Sequence, residues 1–139
     1  MTIAIGWNSF ACDCIMTPIE NHIKETQFII TAQVIELLDT MENEHYFENF
    51  DPTRSYRVKV RIMSSYKGGL LEGQIIELGS DFSNCSIYFN NNGKYLLFLD
   101  KYKISNKYFQ KICSYSAKLE DAKHYIKIIE KKTKYKLKK

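Results

Sequence analysis

The sequence holds only two prolines, six glycines and one tryptophan in 139 residues, and it contains no internal repeat. So few chain breakers leave no room for a proline- or glycine-rich linker, so the chain reads as one domain long enough to bury a core. No apolar run reaches the roughly 18–20 residues that cross a bilayer as a helix. There is no glycine-rich phosphate loop, no G-x-S-x-G turn and no H-E-x-x-H pair, and His22, His45 and His124 are scattered. With no acid–base pair or nucleophile placed by a motif, catalysis and a resident catalytic metal are not expected.

Aromatic residues are plentiful. Ten tyrosines, eight phenylalanines and the tryptophan make 14% of the chain, a load that disordered segments lack. The charge is uneven. The formal net charge is +4, yet Lys131–Lys139 holds six lysines and no acid, and without those six charges the remainder carries −2. This run, 131–139, reads as a solvated basic tail, with contact to an anionic membrane surface as its second use. Asp39, Glu42, Glu44, Glu48 and Asp51 fall in a stretch without Lys or Arg. It reads as a solvated acidic loop whose spacing is too loose for a calcium site.

Met1–Ala11 is apolar and ends in Ser9-Phe10-Ala11, with small residues where signal peptidase prefers them, so residues 1–11 read as a secretory-signal remnant. Thr17-Pro18-Ile19-Glu20 predicts a helix start, with Thr17 as cap and Pro18 in the first helical position. Ile19 and Ile23 share one face. Gln27–Leu38 is β-branched and long, the composition of a buried strand. Arg54–Ser65 alternates, with Tyr56, Val58, Val60 and Ile62 on one face and Ser55, Arg57, Lys59 and Arg61 on the other. Gly68-Gly69 marks a turn, Gly73–Gly79 a third strand, Asn90–Gly93 a strong turn, Lys94–Asp100 a fourth strand and Tyr108–Tyr115 a fifth. A helix is expected from about Ala117, capped by Ser116, with Leu119, Ala122, Ile126 and Ile129 on one face. The fold class is therefore all-β with flanking helices, a small closed or nearly closed barrel.

The four cysteines are Cys12, Cys14, Cys85 and Cys113. A structural zinc site favours ligands two to four residues apart, which Cys85 and Cys113 do not offer, and the usual redox spacing is C-x-x-C. Two disulfides suit a secreted domain with an even cysteine count, and four cysteines allow three connectivities. Cys12 and Cys14 are too near each other to favour mutual pairing, so each is expected to pin the N-terminal segment to a distant strand. Bridges closing loops of roughly 70–100 residues stabilise by roughly 4–5 kcal/mol each in the chain-entropy model.

Six features in order then resemble a known family: Cys12-Asp13-Cys14 followed by Pro18; Phe28–Val34; Tyr66-Lys67-Gly68; Cys85; Gly93-Lys94-Tyr95-Leu96; and Cys113 before the last helix. Residues 12–130 resemble the netrin-like domain, specifically the N-terminal inhibitory domain of the tissue inhibitors of metalloproteinases, in a single-domain form. The resemblance implies a five-stranded, oligonucleotide/oligosaccharide-binding (OB) type Greek-key barrel with a short N-terminal helix and a C-terminal helix. It also implies the disulfides Cys12–Cys85 and Cys14–Cys113.

In that family the mature chain begins at the first cysteine, whose α-amine and carbonyl oxygen chelate the catalytic zinc of a target protease. The resemblance thus implies an inhibitory wedge of Cys12, Asp13 and Cys14, flanked by a contact strip of Ser83, Asn84 and Ser86. The only metal contact implied is that of Cys12 with the target's zinc, after processing. The expected partner is an extracellular or periplasmic zinc metalloproteinase, for a secreted protein with no cofactor of its own. The alternative is a netrin-like protein-binding module that does not inhibit proteases. Where the family usually carries Thr or Ser after the first cysteine, this chain carries Asp13. The wet side of Arg54–Ser65 offers a basic face of the kind such barrels use for nucleic acid, but a secretory start makes nucleic acid an unexpected partner.

Overall fold

A computed structural model describes residues 16–38, 54–55, 57–79, 89–103, 107–111 and 114–133. Helix α1 (Ile19–Glu25) leads into strand β1 (Phe28–Leu37). Strands β2 (Arg54–Ser55), β3 (Val58–Lys67), β4 (Ile75–Gly79), β5 (Phe89–Asn90), β6 (Lys94–Lys101), β7 (Tyr108–Gln110) and β8 (Ala117–Lys118) follow, then a 3-10 turn (Leu119–Asp121) and helix α2 (Lys123–Thr133). The sheet runs β1-β3-β4-β7-β6, and pairing of β1 with β6 closes it into a five-stranded barrel. Every pairing in the ring is antiparallel except β4 with β7. Counting only the ring strands, the order is 1-2-3-5-4-1, the OB-type Greek key that the family resemblance implied.

Residue patterns explain why each strand sits where it does. On β3, Val58, Val60 and Ile62 enter the barrel, while Lys59 and Arg61 lie on the outside, so the period of two is clean. On β6 both faces are buried. Tyr95, Leu97 and Leu99 fill the barrel, and Leu96 and Phe98 lie beneath the helices. β1 behaves likewise, with Ile30, Ala32 and Val34 inside and Ile29 outside under the helical layer. That second layer holds Ile19 and Ile23 of α1 with Ala122 and Ile129 beside and within α2. Each of the three isoleucines contributes about 1.5–3 kcal/mol by leaving water. The ten-residue strands β1 and β3 bend around the barrel through three register shifts, as a small closed sheet requires.

Several boundaries differ from the sequence reading, each for a local reason. Helix α1 starts at Ile19 rather than Pro18. Pro18 is the N-cap, with an extended ψ of 148°, its carbonyl accepts the Asn21 N–H at 2.9 Å, and no side chain caps the helix. The expected strand Arg54–Ser65 is two strands, because Arg54 and Ser55 pair with Asn90 and Phe89 outside the barrel while β3 runs on to Lys67. β4 starts at Ile75, since Gly73 has φ +86° and belongs to the preceding turn. β7 ends at Gln110: the Lys111 N–H still meets the Phe98 carbonyl at 3.0 Å in register with the ladder, but the Phe98 N–H goes to the Ser116 hydroxyl, and the Lys111 carbonyl accepts bonds from the Gln110 amide and the Ser114 hydroxyl instead.

The C-terminal helix begins at Lys123, not Ala117. Ser116 does not cap it, because the Ser116 hydroxyl accepts the Phe98 N–H at 2.9 Å, which draws Ala117 and Lys118 into a strand beside Leu96 and Tyr95. α2 runs to Thr133, so Lys131 and Lys132 of the lysine run are helical, and 134–139 lie outside the described residues. The Met1–Ala11 segment and the acidic stretch from Asp39 to Asp51 also lie outside them.

Candidate functional site

All the residues assigned to the wedge and its strip (Cys12, Asp13, Cys14, Ser83, Asn84, Ser86), with Cys85 and Cys113, lie outside the described residues. The structure describes the chain that follows Cys14, from residue 16, and the chain that follows Cys113, from residue 114. α1 follows Cys14 by five positions and is fastened to the barrel at both of its ends. At its start, the Tyr115 hydroxyl donates to the Thr17 carbonyl at 2.7 Å. Thr17 stands three residues after Cys14, and Tyr115 two residues after Cys113. At its end, the Lys67 ammonium donates to the carbonyls of Ile23 at 2.7 Å and Lys24 at 2.9 Å, satisfying acceptors that a helix end leaves open.

Between these fastenings sits an aromatic cluster. The His22 ring meets Tyr115 edge-on at 5.1 Å and Phe98 at 6.4 Å between centroids, and Tyr115 meets Tyr125 of α2 at 5.1 Å. Such edge-to-face pairs add about 0.5–1.5 kcal/mol beyond the area they bury. Burial, and then the nearby Lys111 cation, hold the His22 pKa below its ordinary value, with Glu25 opposing them. The same two causes depress Lys67, which Asp100 partly offsets. A second clasp joins the start of β1 to the end of β6. The Gln27 N–H donates to Asp100 Oδ1 at 3.2 Å, the Lys101 N–H donates to Gln27 Oε1 at 2.9 Å, and Lys111 pairs with Asp100 at 3.5 Å.

The His22 shift gives a pH dependence with a definite sign. A histidine depressed in the folded state contributes stability that is fully present above the unfolded value of about 6.5 and is lost as the pH falls from there through the folded value. Between pH 7 and pH 5.5 the urea midpoint of the native chain should fall more steeply than that of His22→Gln, because His45 and His124 are common to both. Equal slopes would show that His22 does not carry the effect.

The outer face of β3 and β4 carries basic residues of the alternating segment. Arg57 pairs with Glu77 at 3.2 Å, Lys59 with Glu36 at 3.7 Å, and Lys107 also reaches Glu77 at 3.8 Å. These are exposed or half-exposed pairs, worth little stability, in which Glu77 and Glu36 offset part of the positive charge of this face. Among the described residues no three His, Cys, Asp or Glu side chains gather as a metal site, and no helix is long and apolar enough to cross a membrane.

Sequence reading missed two features that the fold creates. The Thr17–Tyr115 bond joins positions 98 apart. A basic pocket collects lysines from positions 94, 118 and 123. Neither has a local signal, since both depend on which strands become neighbours. No protein-family model and no curated protein matches the chain.

Proposed function

We propose that the protein is a secreted inhibitor of zinc metalloendopeptidases, similar to the tissue inhibitors of metalloproteinases in a single-domain form. In this reading processing exposes Cys12, and its α-amine and carbonyl oxygen occupy the open position on the target's catalytic zinc. A zinc that keeps a position for water can accept such a bidentate pair, and the metal helps remove a proton from an amine of ordinary pKa near 8. Cys12–Cys85 and Cys14–Cys113 would hold the chelating atoms rigid and so reduce the ordering cost of binding. Ser83, Asn84 and Ser86 would flank the wedge.

The observation that carries this reading is the closed 1-2-3-5-4-1 barrel with α1 docked on its outer face directly after the C-x-C segment. The 2.7 Å bond from Tyr115 to Thr17 adds support, because it draws the chain just after Cys14 towards the chain just after Cys113. Asp13 favours a second reading, a netrin-like binding module of the cell surface or periplasm that does not inhibit proteases. A carboxylate pressed unpaired into an apolar pocket costs several kcal/mol, more than a neutral polar group would.

Titration separates the two. The chain processed to Cys12 is assayed against metalloendopeptidases with apolar and with basic specificity pockets. Asp13→Thr should tighten inhibition of the apolar-pocket enzymes by roughly tenfold to a hundredfold, the factor that about 1.4–2.7 kcal/mol corresponds to. No inhibition by either protein at high excess would sink the inhibitor reading and leave the binding module.

A further inference from the structure

The described part of the molecule contains a concave pocket of about 510 Å³ between the Asn90–Gly93 turn, β8, the 3-10 turn and the first residue of α2. We propose that this pocket binds a small organic anion, a phosphate or sulfate ester of about monosaccharide size. The site is distinct from the zinc-directed segment in sequence, and nothing in the proposal depends on protease inhibition.

The pocket is built on a rigid floor. Asn92 takes φ +64°, and the Gly93 N–H returns to the Asn90 carbonyl at 3.0 Å, which closes the turn. A side chain at position 93 would come within 2.8 Å of the Tyr95 ring, so only glycine lets the turn lie flat against it. The Tyr95 ring is 1% exposed, packs edge-on against Phe89 at 5.2 Å, and its hydroxyl accepts the Asn90 N–H at 2.8 Å. Pairing of Tyr95 with Lys118 across β6 and β8 then brings the far end of the chain beside the turn.

Charge gives the ligand its sign. Lys94, Lys118 and Lys123 line the pocket with Glu120 as the lone acid, an excess of two positive charges. None of the three lysines forms an ion pair among the described residues, whereas Arg57, Lys59, Lys107 and Lys111 elsewhere each face a carboxylate. An excess of positive charge around a concavity attracts an anion. Size gives the ligand its body. About 510 Å³ falls within the range of small-molecule sites, roughly 300–1,000 Å³, and exceeds what a bare oxyanion fills. The amides of Asn90 and Asn92 can each donate to and accept from hydroxyl groups, which suits a sugar ring behind the anionic group.

Phosphate and sulfate esters share this chemistry but come from different sources, a phosphorylated metabolite or the sulfated end of a polysaccharide. Backbone amide NMR on the full chain distinguishes them, with glucose 6-phosphate, glucosamine 6-sulfate, glucose and inorganic phosphate as probes. The proposal expects saturable shifts confined to residues 90–95 and 118–123 with one or both esters. It also expects binding to weaken at least tenfold in the triple variant Lys94→Gln/Lys118→Gln/Lys123→Gln. All three lysines are exposed, so that variant should keep its unfolding midpoint. Response to one ester alone supports the site and names its source. Glucose acting as well as the esters, unchanged ester binding in the triple variant, or no localised shift at millimolar probe would overturn the proposal. So would inorganic phosphate matching the esters, which would mean an adventitious ion only.

Discussion

Replacing Phe98 by alanine is expected to destabilise the protein by about 3–5 kcal/mol, the range for deleting a fully buried aromatic side chain. Phe98 is 0% exposed and stands on the outer face of β6 opposite Ile29, where the barrel and both helices meet. Its ring touches His22 of α1 and Tyr115, and Tyr115 in turn touches Tyr125 of α2. Truncation would therefore open a cavity in the layer that fastens α1, and with it the chain leading to Cys14. Urea unfolding measures the loss. A cost near 1 kcal/mol would mean that the helical layer collapses onto the gap and holds α1 without this ring.

Gly68→Ala should cost about 2–6 kcal/mol, from two sources that can be separated. Position 68 has φ +106°, where a side chain adds strain of about 1–3 kcal/mol. A Cβ there would also meet the Phe28 ring and lie 2.8 Å from the Gln27 carbonyl, at the entry to β1, which adds an overpacking cost of about 1–3 kcal/mol. Gly69 provides the control. It has φ +83°, and a Cβ there would have nothing within 4 Å, so Gly69→Ala should carry the backbone strain alone. Equal unfolding midpoints for the two variants would refute the claim that Gly68 exists to let the β3 end close against β1.

The barrel was legible because its strands follow simple burial rules. Val58, Val60 and Ile62 alternate with charged residues since β3 has one wet side, and Tyr95–Leu99 reads as a continuous apolar run since that part of β6 has none. Ile19 and Ile23 likewise announced the buried face of α1. The pieces that went unread are those set by distant partners. β2, β5 and β8 are two residues each, too short to carry a period, and form only because a neighbouring strand offers them bonds. Ser116 looked like a helix cap because its type and place were right, but the Phe98 N–H claims its hydroxyl. The same holds for the sites. The C-x-C segment stands out locally in sequence, whereas the lysine pocket exists only after Tyr95 and Lys118 become cross-strand neighbours.

The barrel thus carries two independent claims, a zinc-directed N-terminus and an anion pocket at the start of α2. The first is the central one, and it depends on a free amine at Cys12. The most direct measurement is inhibition of a metalloendopeptidase by the processed chain with that amine free and with it acetylated. Acetylation removes the amine lone pair from coordination while leaving Asp13 and the proposed disulfides unchanged. The account predicts stoichiometric inhibition by the free-amine chain and its loss on acetylation. Equal inhibition by both forms, or full protease activity at high excess of the free-amine chain, would contradict it.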